Sequence, residues 1–84
     1  MQTKSKILVV DDEFFFRRVL KDALKDQYDI IEGKNGDEAI SLARALRPNL
    51  IVMDVEMPVK DGIDACRVLK ENAETRKIPV ILFT

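Results

Sequence analysis

The residues best placed to do chemistry in this chain are aspartates that close apolar runs. Leu50-Ile51-Val52-Met53 leads directly into Asp54, and Ile7-Leu8-Val9-Val10 leads into Asp11-Asp12. A further run, Val80-Ile81-Leu82-Phe83, ends on a hydroxyl, Thr84. Aspartate is a poor strand residue and costly to bury unless paired or bound to metal, so each belongs where the chain leaves a sheet. Alone, Asp54 is equally well read as a strand-terminating turn residue. Three carboxylates drawn into one pocket would be another matter, because like charges raise one another's pKa or require a cation. Ligands that are all oxygen favour a hard ion, and carboxylates with waters and a phosphate oxygen are the usual way magnesium is held. An aspartate so placed beside a hydroxyl suits phosphoryl transfer. The carboxylate attacks, the cation offsets charge on the phosphoryl oxygens, and Thr84 donates to one of them.

The elements that must bring these residues together follow from the pattern. After a loose polar lead-in, Met1 to Ser5, a strand is expected over Lys6 to Val10. Phe16, Val19, Leu20, Ala23 and Leu24 then recur at helical spacing, which predicts a helix over Phe14 to Lys25. Tyr28 to Glu32 is a weaker strand suited to a sheet edge. Asn35 with Glu38 forms a capping-box pattern for a helix from about Gly36 to Arg47, where Pro48 ends it. Its apolar face is Ala39, Ile40, Ala43 and Leu46. Leu50 to Asp54 is the central strand. A third helix begins at Asp61-Gly62 with Ile63, Cys66 and Leu69 inward and runs to about Asn72. Val80 to Phe83 is the last strand. Alternating strands and helices imply a doubly wound parallel sheet with all carboxyl ends on one edge, where ligand chemistry sits. If the first and third strands are neighbours, as in a 2-1-3-4 order, Asp11, Asp12 and Asp54 lie on strands about 4.8 Å apart.

Composition narrows the rest. The 84 residues are 46% hydrophobic and 35% charged, which fits one globular unit. A chain this short buries only about 60% of the surface its unfolded form exposes, so its core is marginal. Fourteen basic residues against fifteen acidic ones, with no basic block, give no electrostatic case for a nucleic-acid or membrane surface. The single cysteine excludes an intrachain disulfide, and the absence of histidine excludes histidine-based triads and histidine-ligated zinc. No signal peptide or spanning segment is visible, and a cytoplasmic setting is the simplest expectation. P-loop and dinucleotide glycine strings are also absent; Gly33 and Gly36 fit turn and helix-entry roles.

Together Asp11-Asp12, the string Asp54-Val55-Glu56-Met57-Pro58, Asp61-Gly62 and the strand closing on Thr84 resemble, in order and spacing, the receiver domain of two-component response regulators. The resemblance runs from about Ser5 onward and implies a flavodoxin-like fold. It further implies that Asp54 accepts a phosphoryl group from the phosphohistidine of a histidine kinase or histidine phosphotransferase. By the same resemblance, Asp11, Asp12, Asp54 and the backbone carbonyl of Glu56 hold magnesium (or manganese), and Thr84 is the switch hydroxyl. Such a module is a signalling domain rather than an enzyme with an independent substrate. A receiver normally continues through a further helix, a fifth strand ending on a phosphoryl-pairing lysine, and a last helix. No residue here matches that lysine, and Lys60 sits in the wrong loop. The expectation is one receiver domain over residues 1–84, incomplete at its C-terminal side. Its last strand is then an uncovered edge, and the fragment is expected either to be poorly stable or to associate through this strand or the exposed helix faces.

Other residues carry competing readings. Consecutive helical residues point about 100° apart, so Phe14, Phe15 and Phe16 cannot all face one core. Phe15 and Phe16 are expected to be structural, and Phe14 to contact the kinase with the start of the first helix. The resemblance implies that Glu56 lies near the path of the attacking water and tunes dephosphorylation; a solvated loop residue is the equal alternative. Cys66 reads as a buried small apolar residue. Arg17-Arg18 reads as a solvated face. A haloacid-dehalogenase-type phosphatase needs Thr or Val four residues after its nucleophile, and both Asp54 and Asp11 fail that test. A phosphorylation-independent interaction domain, a pseudo-receiver, is the remaining alternative.

Overall fold

A computed structural model describes residues 3–84. Four parallel strands, β1 (Ser5–Val10), β2 (Tyr28–Gly33), β3 (Leu50–Asp54) and β4 (Val80–Phe83), form one sheet in the order β2-β1-β3-β4. Between them run α1 (Phe14–Leu24), α2 (Gly36–Leu46) and α3 (Gly62–Glu71). The alternation of apolar runs and helical stripes implies the parallel sheet, and the order observed is the 2-1-3-4 of the flavodoxin-like fold that the receiver resemblance implies. Of the lead-in, Met1 and Gln2 lie outside the described residues, and Ser5 already belongs to β1.

The sheet divides its side chains by strand parity. Leu8, Val10, Ile51 and Met53 face α2 and α3 and close a core with Ala39, Ala43, Ala65 and Leu69. Alanine on the helical side lets the helices approach closely, while the branched strand residues supply the buried area. α1 lies on the opposite face, where the Phe16 and Phe83 rings meet at 5.2 Å. The helix boundaries have local causes. The Asn35 side chain accepts from the Glu38 amide (2.9 Å), and Glu38 Oε1 accepts from the Lys34 amide, so the box closes one residue upstream of the cap. Asp61 caps α3 in the same way through the Asp64 amide. α2 ends at Arg47, which takes the left-handed conformation common at helix C-termini (φ 48) and donates its amide to the Ala43 carbonyl, with Pro48 directly after it.

Five expected inward positions face solvent instead, among them Ala23 and Leu46, the latter 40% exposed at the end of α2. Ile63 is 51% exposed, because Gly62, Ala65 and Leu69 form the inner row of α3. Phe15 is 79% exposed and Val19 46%. α1 is rotated so that Arg17, rather than Val19 or Ala23, turns toward the sheet, and Arg17 is its one buried residue. Cys66 packs partly buried against the core, as its spacing predicts.

Candidate functional site

β1 and β3 are neighbours with Val10 paired to Met53, so the residues that follow them leave the sheet side by side. One carboxylate oxygen from each of Asp11, Asp12 and Asp54 lies within 4.8 Å of the others. Asp11 is buried, Asp54 half-buried and Asp12 exposed, which gives the cluster an inner wall and an open mouth. Burial, the Asp54 carboxylate and the Asp12 side chain push the Asp11 carboxyl above its ordinary range, against a main-chain hydrogen bond that pulls it down. That bond runs from the Glu13 amide to Asp11 Oδ1 (2.8 Å) and closes a short turn into α1. An equivalent bond from the Glu56 amide reaches Asp54 Oδ1 at 3.2 Å. Each inner carboxylate is thus held by the main chain two residues ahead and keeps its other oxygen for a ligand. Hard oxygen donors at this spacing, mutually repelling and partly desolvated, fit a divalent magnesium-like ion.

The loop from Val55 to Asp61 is pinned closely to the site. Gly62 donates its amide to the Val55 carbonyl (2.8 Å), and a methyl at Gly62 would run into the Asp54 carbonyl. Gly36 donates to the Lys60 carbonyl (2.9 Å), where a side chain would again collide. Between these anchors the Lys60 amide reaches back to the Pro58 carbonyl, and Val59 at the apex takes φ 71. Positive φ at a β-branched residue is a strained turn. It is held by the two glycine contacts on either side.

The expected residues fall as follows. Asp11, Asp12 and Asp54 come together. Thr84 follows Phe83, which pairs with Asp54 and whose carbonyl accepts from Val55, so Thr84 stands at the same sheet edge. Glu56 is exposed, and its amide touches Asp54. Phe14 is 60% exposed at the start of α1, with the Arg18 guanidinium 4.9 Å above its ring. Arg17 departs from its expected place on a solvated face. It is 6% exposed and reaches both Asp11 and β2. The available signal was Glu32, a carboxylate near the end of a strand that demands a cation from the facing helix.

Residues 7–84 match the family model described as response regulator receiver domain. A protein-glutamate methylesterase/protein-glutamine glutaminase of Methanococcus maripaludis is 48% identical over 85 residues, covering 98% of this chain and 22% of that protein. The crystal structure of the N-terminal domain of a response regulator receiver protein from Methanoculleus marisnigri superimposes with a TM-score of 0.92 at 31% identity, covering 98% of this chain and 68% of that one. A sensor histidine kinase receiver domain from Pseudomonas aeruginosa, solved with magnesium coordinated in its active site cleft, gives 0.91 at 29% identity, with the same coverages. The chain spans a third or less of the length of the curated relatives it matches, for example 21%, 6% and 33%.

Proposed function

The chain belongs to the response regulator receiver domain family, and from that premise we propose that Asp54 accepts a phosphoryl group from a histidine kinase or histidine phosphotransferase. The observation that carries this reading is the convergence of Asp11, Asp12 and Asp54 at one sheet edge, with Thr84 beside them. The free oxygen of Asp54 attacks phosphorus as the bond to the donor imidazole nitrogen breaks, leaving an acyl phosphate on Asp54 and a neutral imidazole on the donor. Asp11, Asp12, Asp54 and the Glu56 backbone carbonyl would hold magnesium or manganese, as the magnesium-containing Pseudomonas receiver suggests by analogy. When bound, that ion supplies charge neutralisation on the phosphoryl oxygens. The Thr84 hydroxyl donates to one of those oxygens. The Glu56 amide fixes the rotamer of Asp54, so the nucleophile is oriented before the donor arrives.

The module so built is a single signalling unit, working in a cytoplasmic setting without a substrate of its own. Phe14 and the start of α1 form the contact for the donor protein, because that apolar surface stands beside the acidic mouth. No helix among the described residues is long and apolar enough to cross a membrane. Intact mass after incubation with magnesium and acetyl phosphate tests the reading. One added phosphoryl group, absent in Asp54→Asn, is expected. An adduct unaffected by Asp54→Asn overturns the assignment, and no adduct from a full-length version favours a phosphorylation-independent interaction domain.

A further inference from the structure

Three cations converge on Glu32: Arg17 at 3.1 Å, Arg18 at 3.3 Å and Lys21 at 3.7 Å. Arg18 and Lys21 keep their side chains 50% and 39% exposed, so Glu32 has partners that remain in water. Burial of Arg17 is therefore not needed to neutralise Glu32. Burying an arginine costs free energy unless its donors find partners in good geometry. Its Nη1 passes inward and donates to the main-chain carbonyl of Asp11 at 2.6 Å. That carbonyl lies just beyond the end of the β1–β2 ladder. Asp11 still donates its own amide to Gly33 (3.1 Å), but the next rung, the Asn35 amide on the Asp11 carbonyl, is not made, because β2 ends at Gly33 and Asn35 already caps α2. Arg17 thus supplies a donor where the ladder stops.

We propose that Arg17 is a positioning residue for the acidic cluster: braced on Glu32 and flanked by the Phe14 ring, it clamps the Asp11 carbonyl and sets the turn that carries the Asp11 and Asp12 carboxylates. The Phe14 ring centroid lies 5.7 Å from the guanidinium carbon, a third contact restricting its orientation. With its amide on Gly33, its carbonyl on Arg17 and its Oδ1 on the Glu13 amide, Asp11 is fixed from three directions. The planar fork of arginine can brace on Glu32 and reach Asp11 at once, whereas a lysine ammonium is a point charge on a flexible stem.

This role rests on the reading that the cluster holds a divalent cation, and it makes a prediction opposite in sign to a purely electrostatic role. Removing a positive charge near a cation site should tighten magnesium binding if charge alone matters. Removing a clamp should weaken it despite that gain. Magnesium titration of the full chain, followed by NMR at the Asp12, Asp54 and Glu56 amides, separates the two. Arg17→Met, compared under conditions where its circular dichroism matches the parent, is expected to bind magnesium about tenfold more weakly, the usual scale for losing a support of a metal ligand. Arg17→Lys, which keeps the charge, is expected to lose affinity in the same direction by less. Unchanged or tighter binding in a folded Arg17→Met overturns the proposal. If Arg17→Met does not fold, Arg17→Lys decides by the same criterion. If the parent chain itself binds no magnesium, the cation reading of the site fails separately. Hydrogen exchange at the Glu13 amide in the metal-free chain then decides for Arg17. Exchange faster than global unfolding explains supports the clamp in either variant, and parental exchange overturns it.

Discussion

Asp11→Asn removes the cost of holding a carboxylate that is both buried and crowded by two others at one sheet edge. Asparagine keeps the shape and the acceptor for the Glu13 amide, so the turn into α1 survives while the charge goes. Asp11 is 4% exposed, and its neighbours' oxygens lie within 4.8 Å. A pair of like charges about 4 Å apart repels by about 1 kcal/mol in water and about 4 kcal/mol at an effective dielectric of 20. Asp12 is exposed and Asp54 half-buried, which places the relief near the lower figure, about 1–2 kcal/mol. For a chain of this size each kcal/mol raises the melting temperature by about 4–8 °C. The pH dependence has a definite sign. Asp11 holds its proton more tightly folded than unfolded, so its favourable contribution is complete below the ordinary value of 3.8 and is lost as pH rises through the raised folded value. Asp11→Asn should therefore match the parent at low pH, overtake it across that window and stay ahead at neutral pH. Thermal unfolding by circular dichroism in chelator, from acid to neutral pH, reads this directly. Added magnesium should narrow the gap by stabilising the parent more than the variant. A variant no more stable than the parent at neutral pH, or a difference that does not change with pH, refutes the reasoning.

Val59→Gly should stabilise the chain by about 0.5–1 kcal/mol in urea unfolding, since left-handed backbone costs an L-residue about 1–2 kcal/mol and glycine's extra entropy returns part of that; Val59 is 79% exposed, so little burial is lost. Phe14→Ala should slow phosphoryl transfer from the cognate kinase while costing less than about 1 kcal/mol, the scale of an exposed cation–π contact; equal transfer rates would remove Phe14 from the docking surface. Ile81 (52% exposed) and Leu82 (38%) stand on β4, whose outer edge is unpaired among the described residues. Sedimentation velocity of the 84-residue chain should show concentration-dependent association that Ile81→Lys reduces, and a stable monomer at all concentrations would exclude it.

How much of this was legible in the sequence depended on whether side-chain pattern or side-chain partners decided the outcome. The strands that deliver Asp11, Asp12 and Asp54 could be read because unbroken apolar runs end abruptly on acids, whereas the β1–β3 neighbourhood came from the receiver resemblance, since alternation of strand and helix fixes a parallel sheet but not its strand order. Asn35 and Asp61 announced their helices through local hydrogen-bonding chemistry. Phe15 and Ile63 were misplaced because apolar residues on helices this short fit more than one face, and contacts made elsewhere choose among them. Arg17 was missed because an arginine pair on a helix ordinarily marks a solvated face. Its burial is set by the Asp11 carbonyl, which the β1–β2 ladder leaves to Arg17, while Glu32 on β2 braces the guanidinium. The strained turn at Val59 left no trace either, since valine is the wrong residue to advertise positive φ. It is imposed by Gly36 and Gly62, which pin the loop from both sides.

The most direct test of the central claim locates the phosphoryl group itself. After incubation with acetyl phosphate and magnesium, the acyl phosphate is trapped by borohydride reduction, and the modified side chain is assigned by peptide mass spectrometry. Reduction confined to Asp54, dependent on magnesium and lost in Asp12→Asn, is the expected result. A label on Asp11, Asp12 or Glu56 instead, or a label on Asp54 indifferent to magnesium, would contradict the assignment of nucleophile and cation site.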